Sequence, residues 1–409
     1  MKNLTMTRLT LASTTVFAAA ALVACGGGGS NPPPAPAPVP SMGTLQASIT
    51  DAPACGFDQV NVTVSKVRVH QSAGAGETEG GWTDITVSPA KKINLLNLTN
   101  GVLESLGQTA LPAGRYQQVR LVLDPNTGTA LANSVVPSGT TAEVTLDTPS
   151  AVSSGIKLNA DFEVLAGQTA SLVMDFDACK SVLTKGNGKY ALKPVIKVIP
   201  SLLNGIAGFI DPSVLSSRVM VTAQQNGVIV SSTVPAANGS FLLSRLAPGT
   251  YDVVVTGEGR TASVIGAVPV ATSTSTTNLS TAVAPIILPT SAVNSISGKV
   301  SLAPVSATEA GYVAAKQTFA AGPTVTIKYA NADLVSGAYT IAKLPLAAPS
   351  YAAYSATLPL VFASATGTTP GAGKYRVDAS ATGYASKTYS TPVDILAAPA
   401  TGIDFALVP

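Results

Sequence analysis

The stretch N-G-S-F-L-L-S-R-L-A-P-G-T-Y-D-V-V, residues 238–254, determines the fold class of this chain. An N-G turn leads into the apolar run F-L-L, a P-G turn reverses the chain, and the run Y-D-V-V leads outward. Glycine and proline at two nearby turns, with β-forming residues between and after them, are typical of a β-hairpin. This stretch therefore predicts antiparallel strands.

The same pattern extends in both directions along the chain. Towards the C-terminus, S-G-A-Y-T-I at residues 336–341 restates the hairpin, and an insertion through residues 351–369 displaces its outgoing strand K-Y-R-V at residues 374–377. Towards the N-terminus, alternating valines at residues 60–64 change parity at Ser65-Lys66, which predicts a strand with a β-bulge. Short strands between frequent turns indicate sandwiches of antiparallel sheets.

We therefore predict an all-β protein made of tandem antiparallel β-sandwich domains behind an exported leader and a linker. The predicted divisions are a signal peptide at residues 1–24, a Gly/Pro-rich linker at 25–42, and sandwiches at 43–200, 204–290 and 294–409.

Composition excludes several function classes. Charged residues make up 11% of the chain, against about 25% in ordinary soluble domains. The formal net charge is +3, and two of the basic residues, Lys2 and Arg8, lie in the leader. The remaining chain is close to neutral, so we expect no nucleic-acid partner. We also expect no cofactor, because no metal-binding or cofactor-binding motif is present.

The N-terminus has the three parts of a secretory leader. Lys2 and Arg8 are followed by an apolar stretch, and L-V-A-C at residues 22–25 closes it. This ending resembles the lipobox of bacterial lipoproteins. The resemblance implies that Cys25 is lipidated, that residues 1–24 are removed, and that the protein is anchored to a membrane through the lipid. Gly26 rather than Asp follows the cysteine, which by the same resemblance points to the outer membrane of a Gram-negative cell envelope.

Two regions resemble known families. The first resembles the bacterial family called domain of unknown function 4382, through T-D-A-P at 50–53, V-N-V-T-V at 60–64, L-P-A-G-R-Y at 111–116, M-D-F-D at 174–177 and L-K-P-V-I at 192–196. The hairpin at 238–254 is similar to the carboxypeptidase regulatory-like, or transthyretin-like, module. Residues 294–409 resemble a second, divergent copy of that module. These resemblances imply envelope β-sandwich domains and little chemistry.

Cys55 and Cys179 remain once Cys25 is lipidated. An even pair in an oxidising compartment favours a disulfide, which we predict between them. Two separate thiols or half of a metal site are the alternatives, although the chain lacks the further ligands that a zinc shell needs.

Few polar residues qualify as site candidates. Asp175 and Asp177 share one strand face, and with Asp51 or Asp58 they could bind a cation or serve acid–base chemistry. The competing and favoured interpretation is that these carboxylates cap turns and strand ends, so no metal site is predicted. We expect the single histidine, His70, to be exposed to solvent at a strand end.

Three functions are compatible with this pattern. The leading hypothesis is a non-enzymatic envelope lipoprotein that acts as a surface or periplasmic scaffold for binding or adhesion, with an envelope protein or glycan as partner. The second is carbohydrate binding, because the regulatory-like module is similar in fold to starch-binding domains; Trp82 would then be the stacking platform, against the alternative of a core or sheet-edge aromatic. The third is a hydrolase that uses Asp175 and Asp177.

Overall fold

Strands dominate the part of the protein that the structure describes, and the helical segments there contain at most six residues. This observation confirms the predicted all-β class. The signal peptide, Cys25 with the linker up to residue 40, and Cys55 lie outside the residues that the computed structural model describes. Those described residues are 41–52, 56–199, 204–320, 322–364 and 367–409.

The described residues of the first module, 41–52 and 56–199, form twelve strands and three short helical segments. The strands are β1 (Met42–Ala52), β2 (Phe57–His70), β3 (Thr83–Asn94), β4 (Glu104–Pro112), β5 (Gly114–Leu123), β6 (Ser134–Pro137), β7 (Val144–Asp147), β8 (Ile156–Val164), β9 (Thr169–Asp177), β10 (Val182–Thr184), β11 (Tyr190–Leu192) and β12 (Ile196–Ile199). The helical segments are Leu95–Leu98, Pro149–Ser153 and Ala178–Ser181.

Two sheets of the first module enclose one apolar core. One sheet has the strand order β12-β9-β1-β4, and the other has the order β10-β11-β7-β6-β2-β5-β8 with β3 also paired to β2. Strands β1 and β9 are parallel, and this pairing brings two stretches more than a hundred residues apart into register. Apolar side chains of both sheets, including Ile49, Val62 and Met174, are fully buried between them.

The predicted bulge in β2 is confirmed. Val62 and Val64 are buried, and so are Val67 and Val69 on the opposite parity, which a strict period of two would place on the other face. The register of β2 with both β3 and β5 shifts between Val64 and Lys66. One extra residue thus returns the apolar side chains to the core face.

The second module, residues 204–290, has seven strands and the short helical segment Pro212–Ser217. The strands are β13 (Gly205–Phe209), β14 (Met220–Gln225), β15 (Val228–Thr233), β16 (Ser240–Ser244), β17 (Gly249–Thr256), β18 (Ser263–Val270) and β19 (Thr276–Asn278). They form one sheet of order β16-β13-β19 and a second that begins β15-β14-β17-β18.

The third module, residues 291–409, repeats this strand order. Its strands are β20 (Val293–Leu302), β21 (Tyr312–Phe319), β22 (Thr324–Asn331), β23 (Ala338–Pro345), β24 (Ser350–Ala353), β25 (Ala363–Ser364), β26 (Thr368–Thr369), β27 (Lys374–Ala381), β28 (Tyr384–Thr388), β29 (Val393–Asp394) and β30 (Phe405–Leu407). The sheets β23-β20-β30 and β22-β21-β27-β28 have the same order as the two sheets of the second module. Strands β24 to β26 are the additional segment and lie between β23 and β27.

The predicted hairpins of these two modules were wrong, because β16 pairs with β13 and β23 with β20, whereas the outgoing strands β17 and β27 belong to the other sheet of each module. The turns before β16 and β23 need their glycines for the same reason. Gly239 and Gly337 both have positive φ angles, of 83° and 70°. A Cβ atom would lie 2.0 Å from the Ile210 carbonyl oxygen at the first position and 2.2 Å from the Val300 carbonyl oxygen at the second. Only glycine allows the two backbone segments to approach this closely in that conformation.

A buried tyrosine closes one corner in each of these modules. The Tyr251 hydroxyl donates to the Ala247 carbonyl at 2.8 Å, four residues earlier. The Tyr375 hydroxyl, on the equivalent strand β27, donates to the Pro345 carbonyl across the whole inserted segment. The insertion therefore enters the corner of the third module without removing its hydrogen bond.

The inserted segment joins the second and third modules. Strand β24 pairs in parallel with β18 of the second module, through Ser350 N–H to the Ala262 carbonyl at 2.8 Å and Tyr354 N–H to the Gly266 carbonyl at 2.9 Å. Strand β25 then pairs with β24, so the larger sheet of the second module is completed by the third. Apolar residues cross in both directions: Leu360 packs on the second core, and Val264 belongs to the third.

Candidate functional site

The parallel pairing of β1 and β9 gathers three of the candidate carboxylates. Thr50 lies opposite Asp175, Asp51 opposite Phe176, and Ala52 opposite Asp177. Asp51, Asp175 and Asp177 are therefore neighbours at the ends of two adjacent strands. This part of the sheet faces the second module.

Two of these carboxylates accept hydrogen bonds from nearby backbone amides. Asp51 Oδ1 accepts from the Ala178 amide at 3.0 Å. Asp177 caps the helical segment Ala178–Ser181 by accepting from the Lys180 amide at 3.1 Å, and it forms a 3.0 Å salt bridge with the Lys180 ammonium. Capping of this kind satisfies amides that would otherwise lack partners. The geometry supports the structural interpretation of Asp51 and Asp177.

Asp58 interacts with other partners. Its carboxylate accepts from the Ser138 hydroxyl at 2.9 Å and from the Gly139 amide at 3.3 Å, and it lies 3.7 Å from the Arg218 guanidinium. The hydrogen bond from Ser138 is the main reason why the pKa of Asp58 is lowered. Among the described residues, no group of three or more His, Cys, Asp or Glu side chains has an arrangement that could hold a metal ion.

Asp175 has a different environment. Burial, followed by the nearby Asp177 carboxylate, raises the pKa of Asp175 to about 6. Lys197, Arg245 and Lys180 act in the opposite direction and do not offset the burial. Desolvation disfavours the charged form of a carboxyl group, so Asp175 keeps its proton to a higher pH than an exposed aspartate does.

A small polar cavity lies beside Asp175, between the first and second modules. Its volume is about 20 Å³, enough for one water molecule and too small for a sugar ring. The lining is mostly hydroxyl, amide and carboxylate groups: Thr50, Asp51, Asn100, Gly101, Asp175, Ile199, Ser231, Ser232, Thr233, Leu242 and Ser244.

Several cross-module hydrogen bonds surround this cavity, and sequence reasoning missed the residues that make them. Asn100, with a φ of 58°, donates its amide N–H to Thr233 Oγ1 at 3.0 Å and its Nδ2 to the Val234 carbonyl at 2.7 Å. Asn100 Oδ1 in turn accepts from the Leu242 amide at 3.2 Å. The pair Asn100-Gly101 is a turn signal in the sequence, but nothing local indicates its distant partner.

Arg245 is the second missed residue. Its side chain is buried, its backbone has a φ of 58°, and its Nη1 donates to the Gly101 carbonyl at 3.4 Å and to Ser244 Oγ at 3.1 Å. Lys197 reaches across in the other direction and donates to the Val230 carbonyl at 3.1 Å. We call this contact the seam; it is formed by Asn100, Gly101, Asp175 and Lys197 of the first module and by Val230, Thr233, Val234, Leu242 and Arg245 of the second.

His70 is buried, so the expectation that it is exposed to solvent was wrong. Its Nδ1 accepts from the Ser72 amide at 2.9 Å, and its Nε2 lies 3.0 Å from the Gly80 carbonyl. The ring thus carries its proton on Nε2 and fastens both ends of the loop between β2 and β3. Sequence position alone did not show that this loop folds back over the end of β2.

Trp82 lies in the same loop and has cationic neighbours. The guanidinium carbons of Arg68 and Arg120 lie 4.9 and 5.2 Å from the ring centroid, and the His70 ring is 5.0 Å away. The indole N–H donates to the Gly76 carbonyl at 2.8 Å. Cation–π contacts of this kind stabilise the loop on the sheet, and they occupy ring surface that a sugar would need.

Cys179 is disulfide-bonded, and its backbone carbonyl accepts from Asn331 Nδ2 of the third module at 3.0 Å. Its predicted partner, Cys55, lies outside the described residues, as does the lipidation site Cys25. The Cys55–Cys179 pairing and the lipid on Cys25 therefore stay predictions.

Comparisons with solved structures give only weak similarity. A type II cohesin–X-dockerin complex from Acetivibrio cellulolyticus is 27% identical over 21% of this chain, with a TM-score of 0.18, and the match covers 56% of that structure's chain. The major pilin SpaA of Corynebacterium diphtheriae is 11% identical over 90% of this chain and 100% of its own, with a TM-score of 0.19. A streptococcal ancillary pilin is 7% identical over 90% and 98%, with a TM-score of 0.16. Scores this low carry no inference about this protein.

A search of curated proteins finds no match. In the part of the chain that the structure describes, no helix has the length and apolar character needed to cross a membrane. One family model does match, over residues 42–194, and its description is "Domain of unknown function (DUF4382)". The N-terminal domain of this chain is thus similar to that family, as its sequence motifs predicted.

Proposed function

We propose that this protein is a non-enzymatic, lipid-anchored scaffold of the cell envelope that presents its β modules for binding or adhesion. The observation that carries the proposal is the shared sheet, in which strands β24 and β25 complete the second module. A sheet built from two modules fixes their relative position, because separating them would expose unpaired backbone groups and apolar side chains. A fixed position of the modules relative to one another helps a scaffold to present its binding surfaces. A hydrolase does not need it.

The candidate sites support the same proposal. Asp177 is engaged by Lys180 and by a backbone amide, and Asp175 faces a cavity of about 20 Å³ between modules. Neither arrangement leaves room for a substrate beside two free carboxylates, which a hydrolase of this type would need. Trp82, the candidate sugar platform, is contacted by two guanidinium groups and an imidazole ring.

The anchoring part of the proposal is tested with the full-length chain. We expect labelled palmitate to enter the wild-type protein in a Gram-negative host and not the Cys25→Ala variant. Equal labelling of both would contradict lipidation at this cysteine.

The scaffold part is tested by measuring binding and turnover together. We expect the purified protein to be crosslinked to an envelope component and to release no product from chromogenic glycosides and esters. Turnover that is lost in Asp177→Asn but kept in the exposed control Asp161→Asn would favour the hydrolase instead. Glycan-array binding that is lost in Trp82→Ala but kept in the control Tyr384→Ala would favour carbohydrate binding.

A further inference from the structure

Asp175 lies in the seam among several charged groups. They come from strand β1, from β9 itself, from the segment that follows β9, from β12 and from the turn after β16: Asp51, Asp177, Lys180, Lys197 and Arg245. Strand β15, which covers the cavity from the second module, contributes no charged side chain.

Each nearby cation has another partner. Lys197 lies opposite Asp175 in the β12–β9 register, yet its ammonium donates to the Val230 carbonyl. Lys180 pairs with Asp177, and the Arg245 guanidinium donates to Gly101 and Ser244. With the described residues, the Asp175 carboxylate therefore forms no salt bridge and no hydrogen bond. It is placed in a poorly solvated contact without the ion partner that would stabilise its charge.

We propose that Asp175 makes the seam a pH-responsive latch, which holds the first and second modules together more tightly as the surroundings become acidic. Protonation removes the uncompensated charge and gives the group an O–H that can donate to the hydroxyl and carbonyl oxygens around the cavity. Ionisation restores the charge and favours an opened seam, in which water solvates the carboxylate.

The sign of the effect follows from the direction of the pKa change. Burial in the closed seam raises the pKa of Asp175 from its ordinary value of 3.8 to about 6. The closed form therefore binds the proton more tightly than the open form, and closure is favoured as pH falls through 6 towards 4. Between pH 7.5 and pH 5 the closing equilibrium should increase about tenfold. Asp333, whose pKa is lowered to about 2 at the contact with the third module, stays ionised throughout this range.

Two backbone amides report directly on the seam. The Asn100 amide donates to Thr233 Oγ1, and the Leu242 amide donates to Asn100 Oδ1, so both lose their partner when the seam opens. Matched reporters lie between the second and third modules, where the Thr326 amide donates to Gln224 Oε1 and the Tyr354 amide donates to the Gly266 carbonyl.

The test is hydrogen exchange at residue resolution, with protection factors corrected for the intrinsic exchange rate at each pH. We expect protection of Asn100 and Leu242 in the wild-type protein to be about tenfold higher at pH 5 than at pH 7.5, with Thr326 and Tyr354 unchanged. In Asp175→Asn the two seam amides should be highly protected at both pH values. In Asp252→Asn, which removes a partly buried carboxyl of the second module instead, the wild-type pH dependence should remain.

Two results would overturn the proposal. The first is seam protection that does not change with pH in the wild-type protein. The second is the same pH dependence in Asp175→Asn, which would assign the effect to another group. Neither result depends on the proposed scaffold function, since the measurement requires no binding partner.

Discussion

The second module contacts its two neighbours through different kinds of interaction. Its boundary with the third module is a shared sheet and a shared apolar core, with Gln224 and Thr326 exchanging hydrogen bonds in a fully buried position. Its boundary with the first module is the polar seam, which contains a small cavity, buried Arg245 and the unpaired Asp175. Apolar burial and strand pairing are insensitive to pH, whereas a buried ionisable group is not. The boundary between the second and third modules is therefore expected to be permanent. The seam between the first and second modules is expected to open and close with pH.

The largest expected effect comes from removing the predicted disulfide. A double Cys55→Ser, Cys179→Ser variant should lower the free energy of unfolding of the first module by about 4 kcal/mol, because the bridge closes a loop of more than a hundred residues in the unfolded chain. Chemical denaturation would identify the transition that belongs to this module, since the other transition should not move. Mass spectrometry of a non-reduced digest provides the control, and two free thiols in exported protein would rule out the bridge.

The next effect tests the shared sheet. Tyr351 on β24 packs against Phe319 of the third module at a centroid distance of 4.8 Å, and its ring lies against Gly266 of the second. Tyr351→Ala should cost about 3 kcal/mol, since it removes a large aromatic side chain from the contact of both modules. We expect both modules to be destabilised together in a denaturation experiment.

Val361→Ala is the matched control for this variant. Val361 lies in the same inserted segment and is 85% exposed, so its truncation should leave the transition unchanged. Loss of stability in only one of the two modules with Tyr351→Ala would show that the shared strand does not couple them.

A smaller effect is expected at the seam. Asn100→Ala removes side-chain bonds to Val234, Thr233 and Leu242 and leaves a left-handed backbone that alanine tolerates poorly, so it should destabilise the contact by about 2 kcal/mol. Asn100→Gly keeps the backbone conformation and loses only the bonds. Hydrogen exchange of the Leu242 amide should accelerate in both variants, and less in the glycine variant. Equal stability of wild type and both variants would mean that these bonds contribute nothing.

The smallest expected effect is the stability lost when the corner tyrosine of the second or the third module loses its hydroxyl. Tyr251→Phe and Tyr375→Phe each remove one hydroxyl that donates to a backbone carbonyl, and each should cost about 1 kcal/mol. The two losses should be similar, although the insertion separates Tyr375 from its acceptor by thirty residues. A much smaller loss for Tyr375→Phe would indicate that the insertion has weakened the corner.

Sequence reasoning succeeded where the signal is local. The strands and turns of residues 238–254, the bulge near Ser65 and the displaced outgoing strand at Lys374 all follow from the alternation of apolar residues and from turn residues within one or two strands. Such features depend on neighbours in the sequence, so one chain is enough to predict them. The pairing of β16 with β17 as a hairpin was wrong, because β16 pairs with β13 and β17 pairs with β14 and β18 in the other sheet.

The seam and the shared sheet depend on distant partners. Nothing near Asn100 indicates Leu242, and nothing near Ser350 indicates that β24 pairs with β18. Asp51 and Asp177 both accept from backbone amides, as short acidic side chains at strand ends commonly do. The unusual position of Asp175 was not foreseen, since the cavity beside it is lined in part by a module that begins about thirty residues later.

Differential scanning calorimetry of residues 41–409 tests the contrast between the two boundaries most directly. We expect two unfolding transitions, one for the first module and one that the second and third modules share, with the calorimetric enthalpy of the shared transition equal to its van't Hoff enthalpy. Tyr351→Ala should lower the midpoint of the shared transition and leave that of the other unchanged. Three separate transitions in the wild-type protein, or independent melting of the second and third modules, would contradict the conclusion that these two modules form one structural unit.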